Sequence, residues 1–147
     1  MLEDPGISDQ AQELTAEGVD HSSWPQVRMP SLYESFFDRD GEAVFRKSVE
    51  IPQALVGKEM VLSLGAIDDF DDVFINGRRI GGADRTNPDA RRTPRVYAVP
   101  KEVLKAGRNI IAVRVWDRQG NGGFTGPAGA MFLRAKDYKP AAGFYEN

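Results

Sequence analysis

The stretch Asp72-Val-Phe-Ile-Asn-Gly-Arg-Arg-Ile80 places Asn76-Gly77 between two short runs of strand-forming residues. A two-residue connection between strands needs a positive φ at both turn positions, which a type I′ turn supplies. Asparagine and glycine tolerate that backbone conformation better than other residues. The stretch therefore predicts a β-hairpin whose turn is Asn76-Gly77.

On both sides of this hairpin, short apolar runs are separated by turn residues. In residues 43–51, Phe45, Lys47, Val49 and Ile51 alternate onto one face of a predicted strand. The sequence contains no long amphipathic helix. The pattern predicts an all-β fold, an antiparallel β-sandwich of about eight strands. The other predicted strands are 27–29, 60–64, 95–99, 109–116 and 131–134.

Length and composition narrow the classes of protein further. The chain has 147 residues, a formal net charge of −3 and no cysteine. One domain of this length can bury a core, whereas an acidic chain lacks the basic face that binds nucleic acid. Without cysteine, disulfides and thiolate zinc sites are excluded. No apolar run is long enough to cross a bilayer, so we expect no membrane contact.

Catalytic motifs are equally scarce. His21 is the single histidine, and no Gly-x-Ser-x-Gly nucleophile motif or HExxH motif occurs. We therefore predict that the chain is not an enzyme, and a small hydrolase using paired carboxylates is the least favoured alternative. The first residues lack a positive segment followed by an apolar one, so we expect no signal peptide within this sequence.

The predicted organisation has three parts: an irregular lead-in at 1–23, a β-sandwich at 24–134, and a strap or linker at 135–147. If each strand runs antiparallel to the one before it, connections alternate between the two ends of the sandwich. Short turns then share one end. The other end, called the loop end below, receives the long connections at 31–40, 65–71, 81–94 and 117–129. Long loops usually serve a function.

The loop end carries the side chains that sugar recognition requires. Sugars are polar on their edges and apolar on their faces, so a site needs acids, amides or arginines beside an aromatic ring. In the sequence, only the loop end combines such polar side chains with aromatic residues. The predicted sugar-binding residues are Asp69, Asp71, Arg92, Asp117, Arg118, Asn121 and Phe124.

Other interpretations of the same residues stay open. The acids at 68–72 also suit a calcium site, because Ca²⁺ prefers clustered oxygens, or a solvated turn. Arg92 and Arg95 could instead form ion pairs with those acids, and Trp116 and Phe124 could belong to the core. We expect no obligatory cofactor, and calcium is the cation that these residues would bind.

The order of several motifs resembles a known family. Asp40-Gly-Glu-Ala-Val-Phe-Arg-Lys47, Leu62-Ser-Leu-Gly-Ala-Ile-Asp-Asp69 and Gly107-Arg-Asn-Ile-Ile-Ala-Val-Arg-Val-Trp-Asp117 resemble the galactose-binding-domain-like jelly roll of glycoside hydrolase family 2 enzymes and sialate O-acetylesterases. In contrast to many relatives, the residues before Arg95-Val-Tyr97 contain no tryptophan. The resemblance implies a jelly-roll sandwich, a carbohydrate context and a loop at 117–124 that borders a neighbouring catalytic domain.

Two functions follow as expectations. The first is a non-catalytic carbohydrate-binding module that brings an attached carbohydrate-active enzyme to a polysaccharide or oligosaccharide. The alternative is a structural accessory domain of a sialate O-acetylesterase or glycoside hydrolase, without sugar binding of its own. In both cases the partner is the catalytic domain of a parent enzyme. The resemblance implies a secreted or periplasmic parent, and the sequence leaves the location of this chain open.

Overall fold

The computed structural model describes residues 2–29, 41–120 and 122–139. These residues form one α-helix and eight β-strands. The helix is α1 (Asp9–Thr15). The strands are β1 (Gly41–Ile51), β2 (Met60–Asp68), β3 (Phe70–Ile75), β4 (Arg78–Ala83), β5 (Pro94–Val99), β6 (Gly107–Asp117), β7 (Gly123–Phe124) and β8 (Met131–Ala135), with short 3₁₀ turns at Gln53–Leu55, Ala90–Arg92 and Ala128–Ala130.

The strands form two sheets. The first sheet has the order β1-β6-β3-β4, and in the second β2 pairs with β5 on one side and with β7 and β8 on the other. All of these pairings are antiparallel. The predicted all-β antiparallel sandwich is confirmed. Two strands differ from the prediction: residues 27–29 form no strand, and β7 is a strand that the sequence does not predict.

The core lies between the two sheets and follows the predicted alternation. Phe45, Val49 and Ile51 of β1 contribute to it together with Val73 of β3 and Leu62 of β2. Burial of each such side chain stabilises the fold by about 1.5–3 kcal/mol. The alternating pattern therefore determines which face of each strand turns inward.

The predicted hairpin joins β3 to β4. Asn76 has φ 50° and Gly77 has φ 80°, the positive values that the turn requires. The Asn76 amide nitrogen donates to the Val103 carbonyl at 2.9 Å and to Asn109 Oδ1 at 2.8 Å, and its oxygen accepts from the Ile110 amide. Asn76 therefore both makes the turn and fixes it to β6.

The N-terminal residues lie across the first sheet. Ser8 caps α1 by accepting from the Ala11 amide at 3.0 Å. Arg46 of β1 donates to the carbonyls of Leu14, Ala16, Glu17 and Val19 and to His21 Nδ1. The lead-in was expected to be irregular with at most one helical turn, but these contacts hold a seven-residue helix on the sheet. The three-part division of the chain stays a prediction.

Arg114 of β6 makes a second attachment for these residues. Its side chain is 1% exposed and donates to both Asp4 oxygens at 2.7 and 2.9 Å, to the Gly6 carbonyl, and to Glu42 Oε2 at 2.7 Å. Bidentate guanidinium–carboxylate pairs are among the stronger polar contacts in proteins. Asp4 is thereby held on the outer surface of the first sheet.

Residues 65–71 correct the predicted loop. They belong almost entirely to strands, because β2 runs to Asp68 and β3 begins at Phe70. Gly65 explains the continuation: it has φ 70° and lies next to a bulge in the β2–β5 pairing. Residues 31–40 lie outside the described part of the chain. Within the described residues, no helix is long and apolar enough to span a bilayer.

Candidate functional site

Three of the predicted loop-end segments meet in the structure. The Asp69 amide donates to the Trp116 carbonyl at 3.0 Å, and the Arg118 amide donates to Asp69 Oδ2 at 2.9 Å. Arg95 Nη2 donates to the Asp69 carbonyl at 2.9 Å. The junction of β2 with β3 is therefore bonded both to the end of β6 and to the start of β5.

Asp71 is one of the buried acids at this end. Its carboxylate is fully buried, and Oδ1 accepts from Arg95 Nε at 2.6 Å while Oδ2 accepts from the Tyr97 hydroxyl. Burial raises the pKa of Asp71 above its ordinary value, and Arg95 and Tyr97 offset part of that rise. The same surroundings raise the pKa of Tyr97. Asp71 therefore holds β3 to β5 through Arg95 and Tyr97, and its role as a sugar-binding residue stays a prediction.

Arg95 ties several loop-end segments together. Besides Asp71, it donates to the carbonyls of Thr93 at 2.7 Å, Ile67 at 3.1 Å, and Ala90. Its side chain is 2% exposed. From the sequence, Arg95 is one of four clustered arginines that could bind an anionic sugar or pair with the acids at 68–72. Its position in β5 could have indicated its burial, because residues 95, 97 and 99 alternate onto one face of the strand and Val99 belongs to the core.

Arg118 is partly accessible at this end and lies next to the buried Asp69. Asp69 is buried, and its Oδ1 lies 3.5 Å from Arg118 Nη2. The Arg118 side chain is one-third exposed, and its guanidinium lies 5.0 Å from the centre of the Phe70 ring. Arg118 can therefore donate to a partner or ligand while it remains next to Asp69.

Asp117 lies beside Asp69 at the end of β6 and is fully buried. A Cβ atom on Gly122 would lie 2.6 Å from the Asp117 side chain, so only glycine lets the backbone pass there. Oxygens of Asp68, Asp69 and Asp117 lie within 4.8 Å of one another, which is a spacing that could hold a metal ion. Carboxylate oxygens are the ligands that calcium prefers, and the nearby Arg118 guanidinium offsets some of their charge.

Phe124 and Trp116, the two described rings that follow from the sequence as stacking or core residues, both have protein partners. Phe124 is 3% exposed and packs edge-to-face on Phe45 with 5.2 Å between ring centres. Trp116 lies on the outer face of the first sheet, where its Nε1 donates to the Leu2 carbonyl at 3.2 Å and Arg114 lies above its ring. Phe124 is therefore buried in the second sheet, and its role as a sugar-stacking ring stays a prediction.

Two predicted residues remain, Arg92 and Asn121. Arg92 is exposed in the Ala90–Arg92 turn, and its Nη1 lies 3.5 Å from Asp89 Oδ1. Asn121 lies outside the described residues. The structure thus brings together Asp69, Asp117 and Arg118 from the predicted set.

Solved structures with this architecture are parts of large enzymes. A β-glucuronidase from Bacteroides uniformis matches with a TM-score of 0.64 and 20% identity over 82% of this chain and 15% of its own. A family 2 glycosyl hydrolase from Bacteroides cellulosilyticus matches with a TM-score of 0.65 and 20% identity over 82% and 18%. The β-glucuronidase of Bifidobacterium dentium matches with a TM-score of 0.60 and 26% identity over 74% and 17%.

The chain has the jelly-roll fold of family 2 glycoside hydrolases. The predicted resemblance to their sugar-binding-domain-like module is confirmed at the level of fold. The chain spans only 15–18% of the length of these enzymes, so the similarity covers one part of each of them. No protein-family profile matches the sequence, and no curated protein does. The resemblance to sialate O-acetylesterases stays a prediction.

Proposed function

We propose that this family 2 jelly-roll domain is an accessory domain that packs its loop end against the catalytic domain of a glycoside hydrolase. The observation that supports packing over free sugar binding is the burial of the loop-end acids. Asp71 is held by Arg95, and Asp69 by the side chain and the backbone amide of Arg118. Acids with internal partners form a rigid surface, and rigid surfaces lose little entropy when they associate.

We further propose that the loop end contacts carbohydrate. Arg118 and Arg92 have exposed guanidinium groups, and planar donors of this kind recognise vicinal hydroxyls or a sugar carboxylate. Asn121 follows Arg118 closely in sequence and would add an amide. The proposed glycan-contacting residues are therefore Arg118, Arg92 and Asn121, with Asp69 orienting Arg118.

Calcium is the cation that suits the Asp68, Asp69 and Asp117 cluster. The cluster supplies only oxygens, and the chain has no cysteine and a single histidine. Calcium accepts irregular sets of six to eight oxygens, whereas magnesium demands a regular octahedron. A calcium ion there would bridge the end of β6 to the β2–β3 junction.

The proposal is tested with the isolated chain and with the catalytic domain of the same enzyme. Amide hydrogen exchange should slow at 117–120 and 68–71 when that catalytic domain is added. Arg118→Ala should weaken the complex, while Lys58→Ala in the turn after β1 should not. The isolated chain should hydrolyse no glycoside or acetyl ester. Unchanged exchange at the loop end, or turnover by the chain alone, would contradict the proposal.

A further inference from the structure

A groove of about 480 Å³ opens at the end of the sandwich opposite the loop end. One wall is α1 and the two residues after it, including Gln12 and Glu17. The other wall is the β3–β4 hairpin, with Phe74, Gly77 and Arg78. The volume falls within the range of small-molecule sites, about 300–1,000 Å³. The groove forms only where the N-terminal residues cross the hairpin.

Both walls are held in place before any ligand binds. On the hairpin side, Asn76 is bonded to Val103, Asn109 and Ile110. On the other side, Arg46 donates to carbonyls in residues 14–19. A Cβ atom on Gly77 would lie 3.3 Å from the Glu17 amide nitrogen, so the two walls meet closely at their base. A preformed groove reduces the entropy that binding costs.

The lining combines an aromatic ring with hydrogen-bonding groups. Phe74 is half-buried and lines the groove beside the exposed Gln12, Glu17 and Arg78. Gln12 supplies an amide that both donates and accepts, Glu17 accepts, and Arg78 donates. Polar side chains beside an aromatic ring are the combination that the sequence predicts at the loop end only. The fold assembles it here, because Gln12 and Phe74, which are 62 positions apart in the sequence, both line the groove.

The charges at the rim cancel. Glu17 Oε1 lies 2.6 Å from Lys105 Nζ, and Arg78 Nη1 lies 2.9 Å from Glu102 Oε1. Each of these two charged lining residues is therefore paired with an opposite charge. A ligand with a net charge gains little from such a rim, whereas hydroxyl groups can bond to both signs.

From these contacts we propose that the groove binds a neutral monosaccharide unit, with the sugar hydroxyls bonded to Gln12, Glu17 and Arg78 beside Phe74. Sugar binding in the groove is independent of the proposed packing at the loop end. The two ends are opposite, so a domain could contact a catalytic domain through one and a glycan through the other.

The experiment is a ¹⁵N NMR titration of the chain with neutral hexoses and pentoses, with glucuronate as the charged comparison. Neutral sugars should give saturable shifts at the amides of 12–17 and 76–78. Gln12→Ala should weaken binding by up to about ten-fold, the effect of one lost hydrogen bond. Gln53→Ala, an exposed glutamine outside the groove, is the matched control and should bind as the parent does.

Ala16→Trp keeps the backbone contacts and should abolish binding by filling the groove, with the spectrum of the free protein reporting that the fold is intact. Three results would overturn the proposal: no saturable shift with any neutral sugar, tighter binding of glucuronate than of neutral sugars, or shifts confined to the loop end that disappear in Arg118→Ala. Failure of the loop-end packing would leave the groove shifts unchanged, so the two proposals are separable.

Discussion

Arg95→Met is the substitution that most directly tests how the loop end is held. The change removes the guanidinium from a pair whose side chains are 2% and 0% exposed, and it leaves the Asp71 carboxylate buried. It also removes donors to the carbonyls of Thr93, Ile67 and Asp69. Breaking a buried ion pair on one side costs about 3–5 kcal/mol. We expect the free energy of unfolding to fall by about that amount.

The measurement is urea unfolding followed by tryptophan fluorescence. With a slope of about 1–3 kcal/mol per molar urea, the midpoint should fall by roughly 2 M. Arg92→Met is the matched control, because its ion pair with Asp89 is exposed and should change stability by about 0–1 kcal/mol. The double variant Arg95→Met with Asp71→Leu should recover part of the loss, since no carboxylate is then buried alone.

Two results would refute this reasoning. The first is a loss below about 1 kcal/mol in Arg95→Met, which would mean that the pair behaves like an exposed one. The second is a double variant that is no more stable than Arg95→Met, which would mean that the unpaired Asp71 carboxylate is not the source of the loss.

Three further outcomes are expected. Phe124→Ala should lower the free energy of unfolding by about 3–5 kcal/mol in the same urea assay, because the ring is in the core against Phe45; a loss near zero would place it outside the core. Burial raises the pKa of Glu42, but hydrogen bonds from Ser8 and Arg114 outweigh this and hold it below its ordinary value of 4.5. The stability that Glu42 contributes is therefore complete above that pH and is lost as the pH falls through the folded-state pKa. Urea unfolding between about pH 3 and pH 6 should show that Glu42→Gln loses less stability on acidification than the parent does. An equal loss in the two proteins would contradict the prediction. Calcium should raise the melting temperature by mass action in the parent and not in Asp117→Asn, and equal melting temperatures with calcium and with chelator would remove the calcium proposal.

Most strands and the hairpin could be predicted from short stretches of sequence alone. Asn76-Gly77 has the backbone freedom that its turn needs, and the alternation in β1 selected the face that enters the core. Both features depend on neighbours within a few residues. The end of β2 could not be predicted in this way, because Gly65 and Asp68 resemble turn residues in sequence and become strand residues only through pairing with β5 and β7.

The sequence by itself determined the fold class and the hairpin turn, and it contains no cysteine. The tertiary structure decided which side chains can meet a ligand. Asp71 and Phe124 looked accessible in a polar, glycine-rich context, yet Arg95 and Phe45 bury them. The groove beside Phe74 likewise exists only because Arg46 brings the N-terminal residues over the hairpin. Exposure depends on which distant segments exclude water from a side chain, and that information is absent from its neighbours in sequence.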